Sequence, residues 1–333
     1  MSPFTEGSSE TPSSQPSPSS RSGLDPFEFL HPTIRFSDED RQRLDDRAVI
    51  VRILPASGRE LAALAAASLN VGADALVSSV HSIAELKKSS FVPEIGRFSP
   101  TPRLEDLRNL TLDDDDVDEI AECRPQSCGL KLAPQEIGRL QRTIPARGER
   151  SKDRIEAEFR QIVLERTARY LREGDFGHAA EFSTLLQHSP FVQERMPQLG
   201  AYLERYPAVR LADAESFLYW SKETYGWKPM TSVTQMTIVR GNGERGGPEV
   251  VIAARDVFSL RYTSGSLALT MLFRDPEDAS QGYLVYINRT WVDGVRALWR
   301  PLVEHRIKGQ AKKVFAAARE RIERHGLAAA ATR

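Results

Sequence analysis

The chain has 333 residues, a formal net charge of −1, 40% hydrophobic and 27% charged residues, values typical of a globular protein with a substantial core. The near-zero net charge gives no overall basic signal for nucleic acid, and the sequence has no run of about 18 apolar residues that could cross a membrane. Residues 1–21 are rich in Ser and Pro without the apolar centre of a secretory signal. We therefore expect a cytoplasmic protein, with a periplasmic or exported one as the alternative.

The N-terminal part of the chain predicts a disordered tail followed by two strands. The Ser/Pro-rich start buries too little apolar surface to offset the entropy of ordering, and we place the end of this tail at residue 35. The β-branched run in residues 47–54 predicts a strand, and Ser57-Gly58 a turn. Residues 59–69 (RELAALAAASL) favour a helix by alanine propensity. Their place after a turn favours the second arm of a hairpin, so we predict a strand.

The next stretch alternates helical and extended signals. Apolar residues at three-four spacing predict a helix over 73–88, and Pro93 limits residues 91–98 to an edge strand. Short acidic helices are predicted at 104–110 and 115–121. The run Asp113–Asp116 could bind a cation or begin a helix. We favour the helix start, because a calcium loop needs alternating ligands and a glycine turn.

Residues 134–222 form a predicted helical block. Pro134 suits a first helical position, and Gly174 ends the longest helix, which runs over 152–173. The further predicted helices cover residues 176–186, 191–205 and 214–224.

After Pro229 the hydrophobic period changes to two, which predicts a meander of antiparallel strands. Short links separate the strands. The apolar positions of these strands are Met236 and Ile238 in the first strand, Ile252, Ala254, Phe258, Leu260 and Tyr262 in the second, and Leu267, Leu269, Met271 and Phe273 in the third.

The last long segment predicts a strand over 283–288 that runs into a helix ending near Glu323. Thr290 with Asp293 three positions on resembles a capping box, so we predict that the helix begins at Thr290. Pro301 should kink this helix. We therefore expect the tightest packing on the sheet over 290–300.

This order of elements is similar to the helix-grip fold of START-like (SRPBCC) domains, in which a curved sheet and a long C-terminal helix enclose an apolar cavity. The resemblance implies an α+β fold with a curved antiparallel sheet, divided into a tail (1–35), an opening half (36–132), a helical insertion or lid (133–228) and a closing half (229–326). The segments EIGRFS (94–99), CRPQSCGLKL (123–132) and FLYWSKE (217–223) also resemble a set of uncharacterised bacterial proteins. That second resemblance would imply export.

Cys123 and Cys128 are the most specific local feature. They could form a disulfide or redox-active pair, or remain buried thiols. A metal site would need further ligands, and none lies near in sequence. We predict no metal and no cofactor. The histidines show no metal-like spacing, and His81 on an apolar helix is more typical of a structural residue than of a base.

Asp256 is a charged residue on an otherwise apolar strand face. A buried carboxylate there would need a partner, for which Arg261 and Arg289 are the candidates, and its pKa would be raised. The alternative is a β-bulge that turns Asp256 out to solvent, and we favour this alternative.

We predict a protein that binds a hydrophobic small molecule, lipid-like or polycyclic, under the last helix. The alternatives are a cyclase- or hydrolase-type enzyme with Asp256 or His81 as base, and an interaction protein that uses the helical block. The basic face of the last helix could also contact a membrane peripherally. The predicted lining residues are Met236, Ile238, Phe258, Leu260, Tyr262, Met271 and Tyr286, with Asp256 and Arg261 as polar groups that orient the ligand.

Overall fold

The computed structural model describes residues 25–124, 127–144, 151–174, 179–224, 228–241, 246–275, 278, 281–294 and 300–331. Within them, eight strands form one antiparallel sheet in the order β1-β2-β8-β7-β6-β5-β4-β3. The strands are β1 (Ile50–Ile53), β2 (Glu60–Leu69), β3 (Glu94–Arg97), β4 (Ala214–Glu223), β5 (Met230–Arg240), β6 (Val250–Ser259), β7 (Thr263–Arg274) and β8 (Gly282–Val292).

Helices cover both faces of this sheet. They are α1 (Asp38–Asp45), α2 (Ala73–His81), α3 (Ile83–Lys87), α4 (Asp114–Glu122), α5 (Pro134–Thr143), α6 (Ser151–Glu173), α7 (Ala179–Gln187), α8 (Pro190–Arg195), α9 (Pro197–Arg205) and α10 (Arg300–Ala331). The protein is therefore α+β, with a curved, open antiparallel sheet and a long C-terminal helix, as predicted. The proposed division into a tail, two halves and an insertion stays a prediction.

The alanine-rich segment is a strand, as the turn at Ser57-Gly58 predicted. β2 pairs with β1 on one side and with β8 on the other, from Glu60↔Trp291 to Leu69↔Gly282. Two neighbouring strands and near-complete burial outweigh the local helix preference of alanine, because propensity is a weak prior against tertiary pairing.

The helix predicted over 214–224 is wrong, since this segment forms β4, paired with β3 and β5. Residues 218–222 are buried on both sides, so the strand shows no alternation of apolar and polar positions. Its run Phe217-Leu-Tyr-Trp220 has the aromatic content that strands prefer.

Different helices cover the two faces of the sheet. The α10 face, as we call it, packs its apolar residues with α2, α3 and α10 through Leu76, Val80, Phe315 and Ile322. The opposite face, which we call the block face, packs with α5–α9 and with the N-terminal residues 27–36. The predicted disorder is wrong for residues 25–35, because Phe27 and Leu30 are fully buried in this core. Residues 1–24 lie outside the described residues.

The predicted start of the last helix is also wrong. Thr290 belongs to β8, in register with Leu61 of β2 and Ser266 of β7. Hydrogen-bonded neighbours on both sides extend the strand past the capping signature. Helix α10 begins at Arg300, so Pro301 lies in its first turn, where proline is tolerated. The buried apolar side chains of α10 lie further along, at Phe315 and Ile322, and not in the predicted segment 290–300. Residues 295–299 of that segment lie outside the described residues.

Candidate functional site

The predicted lining residues do not share one face of the sheet. Met236 and Ile238 are buried on the α10 face, with Tyr286 packed against the same cluster. Phe258 and Leu260 instead belong to the core shared with α5 and α6. Met271 lies in the block-face core with α7–α9. The expectation of one continuous apolar lining is therefore wrong for Phe258, Leu260 and Met271.

A β-bulge explains the change of face within β6. Phe258 is opposite Val233 and Asp256 is opposite Thr234, so Val257 is an extra residue without a partner in β5. One additional residue moves every later side chain to the other side of the strand. We favoured a bulge that turns Asp256 out to solvent, and this prediction is wrong in its effect. The bulge keeps Asp256 half buried on the α10 face and redirects Phe258 and Leu260 to the block face.

Arg261 and Arg289 form ion pairs with carboxylates other than Asp256. Arg261 forms a buried ion pair with Asp116 and a second contact, Nη1 to Oε2 at 3.3 Å, with Glu119. Arg289 pairs with the buried carboxylate of Glu60. The expectation that either arginine neutralises Asp256 is therefore wrong, and Arg261 does not orient a ligand beside Asp256.

Tyr262 lies at the bend between β6 and β7, with a φ of +67°. Its hydroxyl accepts a hydrogen bond from the backbone N–H of Lys228 at 2.9 Å. Tyr262 thus fixes the segment that precedes β5.

The centre of the α10 face is only partly covered. Two rows of side chains in register cross the sheet there, Ala63–Asn288–Ala268–Ala254 and Ala65–Tyr286–Thr270–Ile252. The half-buried members of these rows, together with Asp256, define what we call the central groove: Ala63, Ala254, Asp256, Thr270, Tyr286 and Asn288.

The positions of the helices account for this groove. Helix α10 contacts β1 and β2, whereas Lys87 at the end of α3 reaches Tyr219 and Glu223 on β4. Five strand spacings separate β2 from β4, or about 24 Å. A helix with its side chains is about 10 Å wide, so α10 and α3 do not span this distance together, and the side chains of the central groove between them stay half buried.

Asp256 is the most unusual polar group of the groove. It accepts one hydrogen bond, from Thr234 Oγ1 at 3.0 Å. Burial raises the pKa of Asp256 to about 7, and the nearby Glu223 carboxylate raises it further, while the Thr234 hydrogen bond and the charge of Lys87 act in the opposite direction. Near neutral pH this carboxyl group can therefore either donate or accept a hydrogen bond.

A second polar group lies at the β8 side of the groove. Thr290 Oγ1 donates to Asn288 Oδ1 at 2.7 Å, and Asn288 Nδ2 donates to Ser266 Oγ at 3.3 Å. Alanines separate these side chains from Asp256. The groove therefore combines a small-residue floor with hydrogen-bonding groups at both margins.

His81, the other predicted base, lies away from the groove. Its Nε2 is 2.8 Å from Glu215 Oε2, and both side chains are substantially exposed. Glu215 is four residues along β4 from Tyr219, which is in register with Thr234, a separation of about 13 Å. The structure does not bring His81 and Asp256 together.

Cys123 and Cys128 form a disulfide with a Cα–Cα distance of 4.8 Å. The bridge follows the C-terminus of α4 and lies at a cleft of about 430 Å³ lined by Asp115, Asp118, Glu119 and Lys228. Within the described residues no group of three or more His, Cys, Asp or Glu could hold a metal ion. In the same part of the chain, no helix has both the length and the hydropathy of a bilayer span.

The comparisons with known proteins give little. No family model and no curated protein matches the chain. Among solved structures, the Zhui aromatase/cyclase from Streptomyces sp. R1128 matches with 11% identity, over 40% of this chain and 84% of that one, at a TM-score of 0.25. A structural similarity this weak does not support a ligand or a reaction for this chain. The description of the fold therefore rests on the strand order of the sheet and on the C-terminal helix, which are compatible with a helix-grip arrangement.

Sequence reasoning missed three groups around Asp256. Glu223 was hidden because residues 214–224 had a helical assignment. Lys87 and Thr234 become neighbours of the site through α3 and the β5–β6 register. A signal for Glu223 existed in the aromatic run just before it, which is typical of a strand.

Proposed function

We propose that the chain binds a small hydrophobic molecule carrying a carbonyl or hydroxyl group in the central groove, with Asp256 as its polar anchor. The observation that carries this proposal is a half-buried carboxyl group without an arginine partner among the described residues, set beside a floor of small side chains. Other buried carboxylates in the described residues, such as Asp116 and Glu60, have an arginine against them.

The small residues of the floor supply the space for a ligand. Ala63, Ala254 and Ala268 occupy one row of the sheet, interrupted by Asn288. Alanine leaves a depression where a larger side chain would fill the layer between sheet and helix. Burial of apolar ligand surface there contributes about 25 cal/mol per Å², and one or two polar contacts fix the orientation.

The N-terminal half of α10 supplies an apolar wall that the sheet does not cover. Val303 and Ile307 are only half buried, and Leu302 is 63% exposed. In contrast, Phe315 packs against Tyr286 with 6.2 Å between ring centroids. A bound hydrophobic molecule would add contacts where this helix has fewest.

Filling the groove tests this proposal. Ala254→Leu adds three carbon atoms to the floor without touching a polar group, and Ala121→Leu makes the same change at an exposed site on α4. We expect purified wild-type protein to retain apolar mass in native mass spectrometry and to bind a fluorescent fatty acid. Ala254→Leu should weaken that binding by about tenfold or more, and Ala121→Leu should not.

Equal binding by wild type and Ala254→Leu would show that the groove is not the binding site. An adduct-free wild-type spectrum together with no uptake of the fatty acid would refute the proposed function. The cyclase- or hydrolase-type alternative stays a prediction. Of its two candidate bases, the groove contains Asp256 but not His81.

A further inference from the structure

A second cleft, separate from the central groove, lies between α2–α3 and the C-terminal part of α10. Its volume is about 360 Å³, and six of its lining residues are Ser79, Ser82, Leu86, Arg321, Arg324 and His325. This volume lies in the lower range of small-molecule sites, which hold about 300–1,000 Å³.

Close packing of α10 against α2 fixes the shape of this cleft. A Cβ atom added to Gly326 would lie 2.8 Å from Val71 Cγ1 and 2.9 Å from Ala75 Cβ, so the two helices are in direct contact there. On the α3 side, Arg321 Nη1 donates to the backbone oxygen of Leu86 at 2.8 Å. The walls are therefore tied together at both ends of the cleft.

The cleft has an excess of positive charge. Arg324 is exposed and makes only a long hydrogen bond, Nε to Glu320 O at 3.4 Å. Neither Arg321 nor Arg324 has a carboxylate partner among the described residues, and the nearby Glu323 is paired with Arg47 at 2.7 Å. The acidic residue in the lining is Glu85, which is exposed.

A histidine and serine side chains complete the lining. His325 is held in place by a 2.9 Å hydrogen bond between its Nε2 and Ser78 Oγ. Ser82, at the junction of α2 and α3, has no side-chain hydrogen bond to the described residues. Two guanidinium groups beside a hydroxyl and an imidazole match the oxygens of a doubly charged anion, since arginine forms paired hydrogen bonds with phosphate.

We propose that this cleft binds a phosphomonoester group. The group could belong to a free organic phosphate or to the headgroup of an anionic lipid at a membrane surface. The cleft exceeds what a single inorganic phosphate fills, and Leu86 offers an apolar wall for the carbon part of the ligand.

The experiment uses the full chain and two probes. Calorimetry with glycerol 3-phosphate, and with glycerol as the uncharged control, reports binding of a free phosphomonoester. Flotation with phosphatidylcholine vesicles, with and without phosphatidic acid, reports binding of the same group on a lipid. Arg324→Gln and Arg321→Gln each remove one positive charge from the cleft. Arg306→Gln removes one charge from an exposed position of the same helix outside the cleft.

We expect binding in at least one arm, weakened by about tenfold or more in Arg324→Gln and changed by less than about twofold in Arg306→Gln. Arg324 is exposed, so its variant should keep the wild-type circular dichroism spectrum, whereas Arg321→Gln also removes the contact to Leu86. Binding in the calorimeter identifies a free phosphate ligand, and binding in the flotation arm alone identifies a lipid headgroup. Absence of binding in both arms, or equal weakening by Arg306→Gln and Arg324→Gln, overturns the proposal.

Discussion

Replacement of Asp256 by asparagine separates the effect of its charge from the effect of its shape. Asparagine keeps the oxygen that accepts the Thr234 hydrogen bond but cannot ionise. If burial beside Glu223 opposes the carboxylate, the variant should be more stable than the wild type at a pH where Asp256 is charged. Below pH 3.8, the ordinary pKa of this carboxyl group, Asp256 is protonated in both the folded and the unfolded state, and the two proteins should have similar free energies of unfolding.

The magnitude follows from the pKa. The pKa of Asp256 is raised from an ordinary value of 3.8 to about 7, and each pH unit of this difference corresponds to about 1.4 kcal/mol. Ionisation therefore costs the folded state up to about 4 kcal/mol, less in proportion to the water that reaches the half-buried side chain. Between pH 3.8 and about 7 the folded state binds more protons than the unfolded state. The free energy of unfolding thus falls as pH rises through this window.

Urea denaturation of wild type and Asp256→Asn at about pH 5 and pH 8 measures this dependence. We expect the stability advantage of the variant to be larger at the higher pH. Asp118→Asn, which removes an exposed carboxylate, reports how the loss of one surface charge affects stability. An advantage of Asp256→Asn that is the same at both pH values would refute the assigned burial and pKa of Asp256.

Three further changes test the packing around the sheet. Arg261→Met leaves Asp116 buried without its arginine, so we expect a loss of about 3–5 kcal/mol in urea denaturation, and a loss below about 1 kcal/mol would contradict the buried pair. Gly96→Ala places a Cβ 2.5 Å from Trp220 Nε1 and should cost about 1–3 kcal/mol, read as a lower Tm, whereas an unchanged Tm would contradict the close approach. Cys128→Ser opens a short disulfide loop and should cost about 2 kcal/mol under oxidising conditions, and the loss should vanish when both proteins are compared with reductant present.

The sheet was predictable where pairing and local pattern agree. The meander strands alternate clearly, and the turn at Ser57-Gly58 outweighed the alanines of β2. The pattern failed for β4 because residues 218–222 are buried on both sides, and a fully buried strand shows no period by which to distinguish it from a helix. It failed again at Thr290, where a local capping signature competes with pairing to β2 and β7.

The site was predictable in part. Asp256 stands out in the sequence as a carboxylate on an apolar strand face. A raised pKa was expected only for the alternative in which this side chain is buried, and the favoured alternative turned it out to solvent. Its arginine partners could not be identified, because Arg261 and Arg289 meet carboxylates 145 and 229 residues away. A β-bulge was expected near Asp256, but the extra residue is Val257. Which residue is extra, and which side chains therefore change face, is visible only against the register of the neighbouring strand.

The pairing of β2 with β8 has a consequence for synthesis of the chain. One edge of β2 can pair with β1 at once, but its other edge pairs with residues 282–291, separated by roughly 210 residues of intervening chain. At about 5–20 residues per second, the ribosome takes about 10–40 s to translate that interval. During this time the apolar edge ELAALAAASL is open to neighbouring nascent chains, so we expect the newly made protein to depend on chaperones that bind extended apolar segments until β8 has emerged.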